Sequence, residues 1–280
     1  MDTMASRLKV LQGEVERLTQ YLLALSPDVW SRVSACDQWQ VADVVTHLTT
    51  MSFGFAERLS RGLQGDISPP AGHPPSSAHN EDALRERVAR GAIAERERLG
   101  DDLLATFIAG NDALHQQLAR VGPQDWETLC YHNTAGPITV RDMVNIRITE
   151  LAMHGWDIRA PFDANAHLAP ASFPALFATI PRAVRRAFRP DARRSRPVRY
   201  RFLVTRPLAP STDIVLSCEG ARVEPANHTE ADVTFRCDAE TYVFVLFGRH
   251  TLDTAIAEGA VVVEGDQDLA RAFGQSFQGG

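Results

Sequence analysis

At 280 residues the chain is long enough for two domains, and 44% hydrophobic with 23% charged residues is the balance of a folded, water-compatible protein. A net charge of −6 and a pI near 5.8 argue against a general nucleic-acid or anionic-membrane binder, and no apolar run approaches the roughly 18 residues a membrane span needs. Four cysteines, Cys36, Cys130, Cys218 and Cys237, form no CxxC pair, which predicts reduced thiols used as small apolar residues in a cytoplasmic protein.

The chain opens on MDTMASRLKVLQGEVERL, with an acid at position 2 and no apolar core of a signal peptide, so a helix is expected from about residue 5 to 25. Its apolar positions, Leu8, Leu11, Val15, Leu18 and Leu22, recur every three or four residues. SPDVW breaks that pattern, and Asp37 with Gln40 resembles a capping box opening a second helix over about 39–63. Residues 64–80 are rich in Pro, Gly and Ser and read as a loop. A third helical region covers about 82–121 with an interruption near Gly100, and a fourth covers 138–158, opened by Thr139 and Asp142. Four main helices of these lengths suit a bundle of about 160 residues.

The second half changes character. A helix is expected around 173–188, inside a stretch where nine arginines fall between Arg182 and Arg201. Those arginines read as a solvated surface, with a carboxylate- or phosphate-binding surface as the alternative. Strand patterns follow at 198–205, 213–220, 231–239 and 260–266, with helices at ETYVFVLFG and DLARAFGQSF. The fold class is α+β in two domains: a helical bundle over 1–160, then a small α+β domain over 161–280.

One helix carries polar residues on the wrong side. At about 100° per residue, Glu150 and His154 fall inside the apolar arc formed by Met143, Ile146, Met153, Val140, Leu151, Val144 and Ile148. A buried carboxylate needs a partner. The spacing leaves three open: an ion pair with Arg147, a Glu–His hydrogen bond, or a metal ion, since an i, i+4 pair can aim two ligands at one point. No HExxH is present, so a zinc-protease reading lacks support. A third ligand would come from another helix, and His47, at the edge of the apolar face of VADVVTHLTTM, is the candidate. His73 and His79 lie in the loop, His115 and His132 in polar settings, and His167, His228 and His250 beyond the bundle.

These stretches resemble a known family. DVVTHL on the second helix and ITELAMHGWDIRA on the fourth are similar to the mycothiol-dependent maleylpyruvate isomerase family, which belongs to the DinB-like metal-binding four-helix bundles. The opening SPDVW…CDQWQVADVVTHL matches the same pattern. The C-terminal LFGRHTLDTAIAEGAVVVEGD…LARAF resembles that family's second, sterol-carrier-like α+β domain. The resemblance implies that His47, Glu150 and His154 ligate a divalent metal, usually zinc, with a position left for a further ligand. It also implies mycothiol as co-substrate: the thiolate adds to an activated cis double bond, the resulting single bond rotates, and the thiol leaves from the trans isomer. Trp39 and Trp156 match family positions and are expected to pack at helix ends, and Asp157 either orients a ligand histidine or pairs locally.

The leading expectation is therefore a metal- and thiol-dependent isomerase or S-transferase acting on a small electrophile, as monomer or homodimer, with no nucleic-acid or membrane partner. Arg85, Arg87, Arg90 and Arg249 are candidates for a substrate-carboxylate clamp. Two alternatives stand beside it. One is a non-catalytic metal-containing protein binding an apolar ligand near Phe202, Phe235, Phe244 and Phe247; the other is a metal-dependent hydrolase.

Overall fold

The structure is a computed structural model and describes residues 3–36, 39–70, 81–187, 196–206, 209 and 211–276. It resolves into two units, Met1–Ala175 and Leu176–Gly280. Asp37, the loop histidines His73 and His79, and the arginines at 189, 193 and 194 lie outside the described residues.

The first unit is helical. α1 (Met4–Leu23) packs against α5 (Val140–Arg159), and α2 (Val41–Leu63) is the central rod, meeting α3 (Glu81–Leu99), α4 (Leu103–Leu118) and α5. The long third helical region is two helices. Gly100, at φ +51°, starts a short 3-10 turn between α3 and α4, a backbone state that costs glycine least. Leu22, Val44, Leu48, Phe55, Leu59, Phe107, Val144, Ile148 and Leu151 are at most 1% exposed and form the core between the helices. Each such side chain contributes about 1.5–3 kcal/mol by leaving water.

The loop before α5 holds a hairpin that the apolar period does not announce: β1 (Leu129–His132) pairs antiparallel with β2 (Gly136–Thr139). His132, expected in a polar setting, is buried there, with its ring centroid 5.9 Å from that of Phe55 on α2.

α6 (Phe173–Ala187) crosses the boundary between the units. The second unit is a five-stranded sheet in the order β5-β4-β3-β6-β7: β3 (Val198–Val204), β4 (Thr212–Ser217), β5 (Gly220–Pro225), β6 (Val233–Cys237) and β7 (Val262–Gly265). β3 and β6 run parallel, and the other neighbours are antiparallel. Alternation on β3 buries Val198, Tyr200, Phe202 and Val204 against α7 (Ala239–Leu246) and its neighbours, while Arg199 and Arg201 face the other way. Phe202 packs at a tilt against Phe235, Tyr242 and Phe273 at centroid distances of 4.9, 5.0 and 5.6 Å, so these aromatics are core. Phe273 belongs to α9 (Gln267–Ser276); the short α8 (Leu252–Ala257) precedes β7. On the other face, Arg199 and Arg201 both bind the fully buried Asp213, at 2.7 and 2.8 Å, and Arg196 binds Asp232 at 3.0 Å. The described arginines of the 182–201 run that lie on or beside β3 are thus structural ion-pair partners.

Candidate metal centre

Two helices of the first unit carry the three predicted side chains. α2 begins after Gln40, whose backbone N–H donates to Asp43 Oδ2 at 2.9 Å, and His47 follows about one turn later. The cap carboxylate is thus Asp43, three residues into the helix. α5 begins after Thr139, whose hydroxyl accepts the Asp142 N–H at 3.0 Å, as its sequence predicts. Glu150 and His154 sit one turn apart on α5 and face α2.

The three side chains converge. His47 Nε2 is 3.5 Å and His154 Nε2 is 3.3 Å from the same oxygen, Glu150 Oε2. The candidate ligand atoms of all three lie within 4.8 Å of one another. The imidazole centroids are 5.2 Å apart at an angle of 81°, and the Trp39 ring stands 5.4 Å from His47 and 6.5 Å from His154. Trp39 does more than pack at a helix end, because its indole stacks on His154 and meets His47 edge-on.

The remaining ring nitrogen of His154 is also held. Its Nδ1 is 2.8 Å from Oδ2 of Asp157, a carboxylate with no exposure. Of the two roles open to Asp157, the geometry is that of a carboxylate orienting the imidazole. A third neighbour escaped the sequence reading: Cys36, His154 and Asp157 also place ligand-type atoms within 4.8 Å of one another. The loop before α2 brings the thiol there. Ala35 N–H donates to the Asp157 carbonyl at 2.8 Å, Cys36 N–H to Ser34 Oγ at 3.1 Å, and Trp39 N–H to the Cys36 carbonyl at 3.1 Å. No periodicity marks Cys36, since it lies outside a regular element.

The charges are strongly coupled. Burial resists ionisation of Glu150, yet hydrogen bonds from His154 and His47 outweigh it and hold its carboxyl well below the usual carboxylate range. Burial also lowers His47, and the Glu150 contact only partly offsets this. His154 moves the other way. Burial disfavours its charged form, but Asp157, Cys36 and Glu150 together raise it well above an ordinary histidine.

The possible Arg147–Glu150 ion pair is not what forms. Arg147 is 1% exposed and sends Nη2 to Ser52 Oγ on α2 (2.5 Å) and Asn111 Oδ1 on α4 (2.9 Å). Burial pushes its guanidinium down to about 10, so it stays charged at neutral pH. The other candidate arginines are elsewhere: Arg85, Arg87 and Arg90 are exposed on α3, with Arg90 pairing Glu86 at 3.5 Å, and Arg249 belongs to the second unit, where it donates to the Phe247 carbonyl at 2.9 Å. His115, His167 and His228 are exposed.

The donor set fits a zinc-like cation. Ligand atoms about 2.0–2.1 Å from a tetrahedral ion stand roughly 3.3 Å from one another. The two Nε2–Oε2 separations, 3.3 and 3.5 Å, already lie near that spacing.

Comparison with known proteins agrees with this architecture. Residues 11–159 match the family model of the mycothiol maleylpyruvate isomerase N-terminal domain, and residues 189–278 match the SCP-2 sterol transfer family. The fold is similar to the crystal structure of a mycothiol-dependent maleylpyruvate isomerase, with a TM-score of 0.64 at 12% identity over 94% of this chain and 96% of that one. A single-site variant of that enzyme gives 0.63 at the same identity and coverage. No curated protein matches the sequence. With more than half of its length matched by the first of these family models, the chain belongs to the mycothiol maleylpyruvate isomerase family.

Proposed function

We propose that this protein is a metal-dependent enzyme that uses a low-molecular-weight thiol, mycothiol, to isomerise a small electrophilic substrate or to transfer the thiol to it. The observation that carries this reading is the convergence of His47, Glu150 and His154 from α2 and α5 on one point, with the far side of His154 held by Asp157. In the proposal these three residues hold a divalent cation, zinc by the chemistry of the donors, and 1–160 is the metal-binding portion of the chain. When bound, such a cation supplies positive charge that stabilises a thiolate at neutral pH.

The chain's own groups have defined parts. Glu150 contributes the one negative charge among the three. Asp157 fixes the orientation of His154 so that Nε2 faces Glu150 and His47. Trp39 stacks on the His154 imidazole and meets His47 edge-on, an apolar wall beside the two rings. A thiolate brought to this point can add to an activated cis double bond, and expulsion after rotation breaks the same carbon–sulfur bond and returns the thiolate and the trans product, so atoms and protons balance with no redox co-reactant. Scattered cysteines with no CxxC pair support a reducing, cytoplasmic setting in this reading; among the described residues no helix is long and apolar enough to cross a membrane.

The test is elemental analysis of purified chain, followed by a mycothiol-dependence assay with maleylpyruvate and a panel of electrophiles. About one divalent cation per chain and turnover only with thiol are expected. Glu150→Gln and His154→Ala should each lose the cation and at least about 100-fold in turnover. Turnover without added thiol would point to a metal-dependent hydrolase, and a metal-replete chain inert towards every electrophile to a binding protein.

A further inference from the structure

Arg147 is the largest fully buried side chain among the described residues. It stands one turn before Glu150 on α5, reaching towards α2 and α4. Its two acceptors are themselves fixed: Ser52 Oγ donates to the Leu48 carbonyl at 3.0 Å, and the Asn111 amide donates to the Phe107 carbonyl at 2.8 Å. Both are neutral. Nε and Nη1 of Arg147 have no hydrogen-bond partner among the described residues. A buried cation left without a paired carboxylate is costly, and a packed hydrophobe would serve the core better. The charge it places in the bundle falls on Glu150 and on His47, both within its electrostatic reach.

This has a consequence for whatever occupies the metal centre, and it rests on the reading above that the three residues hold a divalent cation. Two positive charges on the ion, one negative on Glu150 and one positive on Arg147 leave a net charge of about +2 around neutral histidines. Buried charge is poorly screened by salt. We propose that Arg147 is a positioning charge that makes the remaining coordination position select an anion, thiolate or carboxylate, over a neutral thiol or water. Ser52 and Asn111 hold the guanidinium in place without neutralising it, which a carboxylate partner would do.

The sign of the effect separates this role from a structural one. Removing a nearby positive charge leaves a divalent cation bound equally well or more tightly, while it weakens an anion on that cation. Damage to the core weakens both. The experiment uses the full chain loaded with cobalt(II). Cobalt affinity is read by chelator competition. Binding of 2-mercaptoethanol and of azide is read from the sulfur-to-cobalt charge-transfer and d–d bands. Arg147→Met removes the charge; Asn111→Asp leaves the guanidinium and neutralises it with a near-isosteric carboxylate, which keeps the test alive should the first variant not fold. In either folded variant, thiol and azide affinity should fall about tenfold or more with cobalt affinity unchanged or higher, and Arg147→Lys should recover most of the loss. Unchanged thiol and azide affinity in a folded, cobalt-loaded variant overturns the proposal, as does parallel loss of cobalt and thiol. A wild-type chain that takes up no cobalt overturns the metal reading and this inference together, so the two failures are distinguishable.

Discussion

His154 serves two carboxylates at once, Glu150 through Nε2 and Asp157 through Nδ1. Without a cation that arrangement favours imidazolium, and a cation must displace the proton. Glu150, depressed below its ordinary 4.5, contributes stability that is present above that pH and lost as pH falls through its lowered pKa. His154, raised above 6.5, contributes stability that is complete below that pH and lost as pH rises through its raised pKa. The metal-free chain thus draws most from the pair between those two ordinary values. Zinc binding should strengthen as pH rises through the raised pKa of His154. Thermal melts should therefore show zinc adding more to the midpoint at about pH 8 than at about pH 6; the reverse order would remove His154 from the ligand set. Asp157→Asn keeps the shape and removes the charge. It should weaken zinc about 10–100-fold by chelator competition while leaving the helical circular dichroism intact.

At the scale of elements, α5 carries two of the three candidate ligands and α2 the third, and the far end of α2 is tied to the β1–β2 hairpin at Gly62. A Cβ there would stand 2.6 Å from the Leu129 carbonyl oxygen and 3.0 Å from the Cys130 Cα, which are backbone atoms with little freedom to move. Gly62→Ala gains about 0.5–1 kcal/mol of helix propensity but forces the hairpin off the helix, at about 1–3 kcal/mol. A net fall in the denaturation midpoint is expected, and a rise would show that the hairpin yields freely. The same junction marks where the sequence was opaque. Helical period locates α1, α2 and α5 to within a few residues, and the wheel of α5 alone singles out Glu150 and His154. The hairpin has two four-residue strands with Gly136 and Pro137 in the second, too short for alternation to register. His132 looks polar in sequence and is buried because its neighbours come from α2. Cys36 is invisible for a related reason: a backbone hydrogen bond from Ala35 to Asp157, more than a hundred residues away, puts it beside the candidate ligands His154 and Asp157. The sequence offers Arg147 only as a possible partner for Glu150, and its actual acceptors are not readable there, since Ser52 and Asn111 are unremarkable positions on two other helices.

On the scale of the whole molecule, the change from long helical periods to short strands, with alternation on β3 and β6, accompanies two units with their own cores, divided at Ala175/Leu176. One is built on Leu48, Phe55, Phe107 and Ile148, the other on Tyr200, Phe202, Phe235 and Phe273. All three candidate ligands, with Asp157, Cys36 and Arg147, belong to the first, and ligand binding stabilises the folded unit that binds. Two cores of this kind need not melt as one. Calorimetry of the full chain should therefore resolve two transitions, of which zinc raises one and EDTA lowers the same one. The other is identified by Phe202→Ala, which empties space among Phe235, Tyr242 and Phe273 and should destabilise its unit by about 3–5 kcal/mol. In that variant the zinc-sensitive transition should stay where it is. A single transition that moves as a whole with both zinc and Phe202→Ala would mean that the two cores unfold together, and that a cation held by α2 and α5 also steadies the sheet.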